Sequence, residues 1–210
     1  MSTTTIQRTL TPTTDAAPAI LRIPEPELSG SQWVSRYPGS AQISDLDPDF
    51  GAGVSAFITA LRAAGARVSI SATFRPIERA YLIRTSWEIK NKKVKPDKAA
   101  SFPGVNINWD HGDDEKSIAA ARAMCAGYST SSLGTRPALK SRHTERKAID
   151  MTITWSGDLT IQDADGNSVV IKTQPRTGMN AELKTVGASY GVIKFWKGAK
   201  DKPHWSTDGR

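Results

Sequence analysis

The stretch SRHTERKAID, Ser141 to Asp150, holds one of the three histidines in the chain, and Asp150 follows His143 by seven positions. A last histidine, His204, stands downstream in DKPHWS, three residues after Asp201. A catalytic zinc ion takes three protein ligands from His, Asp or Glu and keeps one position for water. His143, Asp150 and His204 would supply that set. A carboxylate near the metal but not bound to it, here Asp201, could take a proton from the attacking water and later give it to a leaving amine. Arg75 could bind the oxyanion that develops on a carbonyl under attack. On spacing alone, however, a His and an Asp seven apart are most simply a surface pair, and His204 beside Trp205 an ordinary packed pair.

The elements that carry these residues sharpen the reading. KAIDMTITW alternates like a strand, with Ile149, Met151 and Ile153 on one face and Asp150 and Thr152 on the other. One face would build core while the other lines a cleft. His143 would sit in the loop entering that strand, and His204 after a separate closing strand in VIKFW. RVSISATF, residues 67–74, alternates in the same way, and Pro76 fits the first turn of a helix over PIERAYLIRTSWEIK. Arg75 then lies at a strand-to-helix junction. Upstream, Val54, Phe57, Ile58 and Leu61 recur at helical spacing, with Gly65 as a stop. Residues 91–116 read as a long irregular excursion, followed by a helix over about 117–127. LTIQDADGNSVVIKT reads as a hairpin turning at Asp165-Gly166, and MNAELKTVGASYG as a helix capped by Asn180. The mix predicts an α+β fold: a small antiparallel sheet with helices packed on it, and the zinc site in a cleft at the sheet.

Composition bounds the function. At 210 residues the chain suits one ordinary domain. Residues 1–30, rich in Thr, Pro, Ala and Ser, read as a flexible arm before a single domain over 31–210 that begins near Trp33. A lone cysteine, Cys125, excludes an internal disulfide and any zinc site built on thiolates, and its apolar helical setting reads as a buried thiol. No apolar run approaches the roughly 20 residues a membrane span needs. The N-terminal stretch has no apolar segment behind a basic start, so a secretory signal is not visible and synthesis in the cytoplasm is expected. The net charge of +7 favours polyanions, among them nucleic acid, anionic lipid and the polymers of a bacterial wall. No nucleic-acid motif accompanies it, so no specific nucleic-acid partner is expected.

The two histidine motifs also resemble a known family. SRHTERKAID is similar to the S-x-H-x-x-G-x-A-x-D signature of the D-alanyl-D-alanine carboxypeptidase-type zinc peptidases. DKPHW resembles that family's second signature, an acid three residues before a histidine flanked by an aromatic residue. ATFRP is similar to its earlier S-G-Y-R-S segment. Together they span roughly residues 54–206. The family takes in VanX- and VanY-like peptidases and phage endolysins that cut L-alanyl-D-glutamate bonds. The resemblance implies one Zn2+ per chain on His143, Asp150 and His204, Asp201 as general base, Arg75 on the oxyanion, and Ser141 close to the substrate. It implies a hydrolase, a zinc metallopeptidase acting on the stem peptide of peptidoglycan. An endolysin of bacteriophage type, degrading the cell wall after release from the cytoplasm or carried by a phage particle, fits the missing signal. L-Alanyl-D-glutamate endopeptidase is favoured over D-alanyl-D-alanine carboxypeptidase by Asp201 and by that missing signal. A non-catalytic wall-binding protein of the same fold is the alternative from another class. Three positions depart from the family: its signature glycine is Arg146 here, and Thr73 and Pro76 replace a glycine and a serine of the arginine segment.

Other chemistry-bearing residues have plainer readings. His111, among Asp110, Asp113 and Asp114, reads as part of a solvated acidic loop, with a rim residue or second metal site as the alternatives. DADGN, residues 163–167, lacks the closing glutamate of a calcium loop and reads as a turn. Trp109, Trp155, Trp196 and Trp205 could line a groove or fill the core, and Trp205, next to a presumed ligand, is the expected cleft-lining, substrate-binding residue.

Overall fold

The computed structural model describes residues 24–210. The first short strand, β1 (Glu27–Leu28), pairs in parallel with β3 (Ile107–Asn108). Of the expected arm, residues 1–23 lie outside the described residues. Residues 27–30 already belong to the fold, which therefore starts earlier than Trp33: the pairing is made by main-chain groups, which leave no periodicity in so short a segment.

Helix α1 (Pro48–Ala63) opens with Pro48, and the Asp47 side chain accepts from the Phe50 amide at 3.3 Å, satisfying one of the donors a helix start leaves free. Its Val54, Phe57, Ile58 and Leu61 are all buried. Gly65 comes next with φ of +87°, a conformation that ends the helix at little cost only for glycine. The chain then runs through β2 (Arg67–Ala72) and α2 (Ile77–Lys90) into the long excursion, which contains β3. Helix α3 (Asp114–Gly127) starts three residues ahead of the expected 117, because Asp113 caps it, its side chain accepting from the Lys116 amide at 2.8 Å.

The central sheet is built around β4 (Ala148–Thr154). It pairs with β2 on one side and with β8 (His204–Ser206) on the other, and β7 (Ile193–Lys194) closes the order β2-β4-β8-β7, every pair antiparallel. Strands β5 (Leu159–Gln162) and β6 (Ser168–Ile171) form the expected hairpin. Helix α4 (Ala181–Ser189) is capped by Asn180, which accepts from the Leu183 amide at 3.1 Å. The architecture is α+β, as the sequence predicts.

Two apolar clusters hold it. In the larger, α1 and α4 pack on the sheet face formed by Ile149, Met151, Ile153 and Trp205, joined by Leu159, Ile161 and Ile171 of the hairpin. In the other, α2 and α3 bring together Leu82, Ile89 and Met124 with Trp33 and Trp109. Cys125 is buried in α3, as expected.

Trp205 corrects an expectation. It is fully buried, opposite Ile149 in the strand register, with its ring 5.6 Å from Phe57. Successive residues on a strand face opposite ways, so the neighbour of a ligand is turned away from the cleft. Trp109 and Trp155 are also buried, and only Trp196 of the four is exposed.

Candidate metal centre

Asp150 and His204 are direct cross-strand partners on β4 and β8, so their side chains leave the sheet on the same face, opposite the core. A register shift between Ile70 and Ala72 places Ala72 against Asp150, and Ser71 Oγ at the shift donates to the Asp150 carbonyl at 3.3 Å. Such bulges bend a strand and re-aim the residues beyond them. Beyond this one lie Thr73–Arg75, which grip His143 at two points. The Thr73 carbonyl accepts from His143 Nδ1 at 2.8 Å, and the Arg75 amide donates to the His143 carbonyl at 3.2 Å. Thr73 is itself fixed, its amide donating to Ser40 O at 2.7 Å and its hydroxyl to Gln42 O at 2.9 Å.

The three expected ligands converge. His143 Nε2, His204 Nδ1 and Asp150 Oδ1 form a triangle with every side 3.2 Å. They are the one group of this kind among the described residues that could hold a metal ion. A tetrahedral zinc ion ~2.1 Å from each ligand would set them about 3.4 Å apart, so the spacing fits.

The hydrogen bonds around the triangle fix the tautomers. A carbonyl oxygen only accepts, so His143 Nδ1 carries its proton toward Thr73. His204 Nε2 likewise carries its proton toward the Arg210 main-chain oxygen, 2.9 Å away. In their neutral forms the two imidazoles therefore present bare lone pairs to each other and to a carboxylate oxygen. Three acceptors at 3.2 Å with no hydrogen between them repel, and a shared cation, a proton or a metal, is what relieves them. This is the arrangement found where metal-bound histidines are oriented by a carbonyl behind them. The electrostatics agree. Burial works against ionisation of Asp150, but the neighbouring imidazoles outweigh it and hold its carboxyl far below the ordinary range. Burial depresses His204, and Asp150 more than reverses it, leaving its pKa raised.

A pocket of about 490 Å³ opens over the triangle, and Arg75, Ser141, Phe195 and Asp201 share its wall with the three ligands. The Asp201 side chain makes no hydrogen bond or ion pair among the described residues. Burial, reinforced by the charge of Asp150, raises its pKa. Arg75 also lacks an ion-pair partner there, and burial lowers its pKa against the pull of Asp150. The Ser141 hydroxyl is buried with no partner. His111 stays outside the group, bonded to Ser29 Oγ at 3.0 Å.

Arg146, where the resembled signature has glycine, has φ of +62°. The backbone thus keeps the turn that a glycine would permit, and the arginine offsets the strain by stacking 3.8 Å over the Phe74 ring and donating to Asp45 O at 2.8 Å. Sequence reasoning missed Thr73 and Arg210 because both act through main-chain oxygens, which any residue supplies. It also missed Lys194, buried under Trp205 with its ammonium donating to the His204 carbonyl at 3.1 Å. Burial pushes that ammonium down to about 8, against the pull of Asp201. Neither a scan against protein-family models nor a search of curated proteins finds a match to this chain.

Proposed function

We propose that the chain is a zinc-dependent peptidase that hydrolyses a stem-peptide bond of bacterial peptidoglycan, with L-alanyl-D-glutamate the favoured bond. The observation that carries this reading is the triangle of three ligand atoms at 3.2 Å, set beneath a pocket that also holds an unpaired carboxylate and an unpaired guanidinium. Three ligands rather than four match a catalytic rather than a structural zinc site. Bound there, zinc would bring the pKa of a water toward ~7 and polarise the scissile carbonyl.

The chain's own groups would do the rest. His143, Asp150 and His204 supply the ligands. Asp201, with its raised pKa, takes the proton of the water as its oxygen bonds to the carbonyl carbon, and returns it to the amine as the carbon–nitrogen bond breaks. Arg75 faces the oxygen on which charge develops, and Ser141, in the pocket wall, would lie close to the substrate. The peptidoglycan substrate rests on the resemblance of SRHTERKAID, DKPHW and ATFRP to the D-alanyl-D-alanine carboxypeptidase-type family, and the basic surface suits an anionic wall. No helix among the described residues is long and apolar enough to cross a membrane.

The test is release of amino groups from purified peptidoglycan, with and without chelator, alongside the metal content of each protein. Wild type should bind one zinc and lose activity on chelation. His143→Ala should lose both metal and activity. Asp201→Asn should keep the metal while turnover falls by roughly 10²–10⁴-fold. Mass spectrometry of the fragments identifies the bond and separates endopeptidase from carboxypeptidase. A wild type that holds zinc but releases nothing from several wall types would sink the catalytic reading in favour of a binding module.

A further inference from the structure

His204 is held by a device built from residues 206–210. Its Nε2–H donates to the Arg210 main-chain oxygen, which also accepts from the Ser206 hydroxyl at 3.1 Å. That oxygen is placed by two features. Gly209, with φ of +73°, turns the chain back over β7, where its carbonyl accepts from the Trp196 amide at 2.9 Å. A Cβ at Gly209 would come within 2.8 Å of Lys194 O, so the approach needs glycine. The second feature is Asp208. One of its oxygens accepts from the Arg210 amide at 3.1 Å and from Arg142 Nε at 3.1 Å. The other accepts from Arg142 Nη2. The two-point bond between a guanidinium and a carboxylate fixes orientation as well as distance.

Arg142 precedes His143 in the chain. Asp208 thus joins the turn that carries one ligand to the segment that orients another. The lysines and acids nearby do not duplicate it. Glu145 binds Arg142 from the other side, and Lys194 holds the His204 carbonyl rather than its ring.

We propose that Asp208 is a positioning residue of the metal centre: clamped to Arg142, it sets the Arg210 main-chain oxygen so that His204 meets the metal through Nδ1. Asp208 touches none of the three triangle residues and does not itself line the pocket; it reaches the site through Arg142 and Arg210, which do. It acts by choosing which imidazole nitrogen keeps its proton. The proposal rests on the reading of the triangle as a metal centre. Groups that orient a metal-bound histidine from behind change metal affinity by roughly 10–100-fold when removed, and that is the size of effect expected here.

The test measures zinc affinity by competition with a chromogenic chelator, and the visible spectrum of the cobalt(II)-substituted protein, for wild type, Asp208→Ala, Asp208→Glu and Gly209→Ala. Two-dimensional ¹H–¹⁵N spectra of the histidine rings report which nitrogen of His204 is protonated. Asp208→Ala should bind zinc roughly 10–100-fold more weakly, shift the cobalt spectrum and lose the single Nε2–H form of His204. Its metal-free far-ultraviolet circular dichroism should match wild type, because the lost pair lies partly in solvent. Asp208→Glu should recover part of the affinity, and Gly209→Ala should reproduce the loss without touching the ion pair. If wild type binds zinc and Asp208→Ala matches it in affinity, spectrum and tautomer, the positioning role is wrong while the metal centre stands. If wild type binds no metal, both readings fall together.

Discussion

At the scale of single residues, Arg146 shows how a departure from a motif can leave the geometry intact. Left-handed backbone costs a residue with a side chain about 1–2 kcal/mol, and here φ is +62°. Its stacking on Phe74 and its bond to Asp45 O are each worth about 1 kcal/mol at an exposed position. Arg146→Ala keeps the strain and loses both contacts, so it should lower stability by about 1–2 kcal/mol. Arg146→Gly loses the same contacts but sheds the strain, and should be the milder change by about 1 kcal/mol. Urea denaturation of both variants checks the order, which is the reverse of the usual preference for alanine over glycine. Equal losses in the two variants would mean that the turn is not strained.

At the scale of elements, the site depends on how closely α4 approaches the sheet. A Cβ on Gly187 would stand 2.8 Å from the Trp205 ring and 2.9 Å from Val192 O. The ring could shift, but the carbonyl belongs to the turn leading into β7 and has little room to yield. Gly187→Ala should therefore cost about 1–3 kcal/mol, despite the better helix propensity of alanine. Because Trp205 adjoins His204 on β8, the same change should disturb zinc binding. Thermal denaturation of the metal-free variant and its zinc affinity check the two consequences together. A variant as stable as wild type would show that α4 can withdraw from β8 without loss.

At the scale of the whole molecule, the metal would tie together elements far apart in the chain: the turn holding His143, β4 and β8. A ligand that binds only the folded form adds stability by mass action, about 4 kcal/mol at a thousandfold excess over its dissociation constant. Zinc should raise the melting temperature of the wild type, and a chelator should bring it back. The melting temperature of His143→Ala should be indifferent to zinc. In that variant the remaining pair, Asp150 and His204, loses the triangle that makes the site selective. A wild-type melting curve unmoved by micromolar to millimolar zinc would argue against a preformed site.

Much of the fold and the site was legible in the sequence because side-chain identity and spacing are sequence properties. The alternation of KAIDMTITW put Asp150 opposite Ile149 and Met151, and the structure keeps that division. Val54, Phe57, Ile58 and Leu61 marked the buried face of α1, Asn180 marked a helix start, and Asp165-Gly166 lay in the turn of a hairpin. His143, Asp150 and His204 could be named as a ligand set only through the resemblance of SRHTERKAID and DKPHW to a zinc-peptidase family, since spacing alone reads as a surface pair and a packed pair. What tertiary structure alone decided was which atoms meet and which way they face. The Ile70–Ala72 register shift, the tautomers set by Thr73 O and Arg210 O, and the burial of Trp205 are products of main-chain hydrogen bonding and strand register. Main-chain groups are the same in every residue, so no pattern of side chains announces them. The strand period tells only that neighbours face opposite ways. It took the packing of α1 and α4 against one face of the sheet to decide that Trp205 goes into the core and His204 toward the triangle with His143 and Asp150.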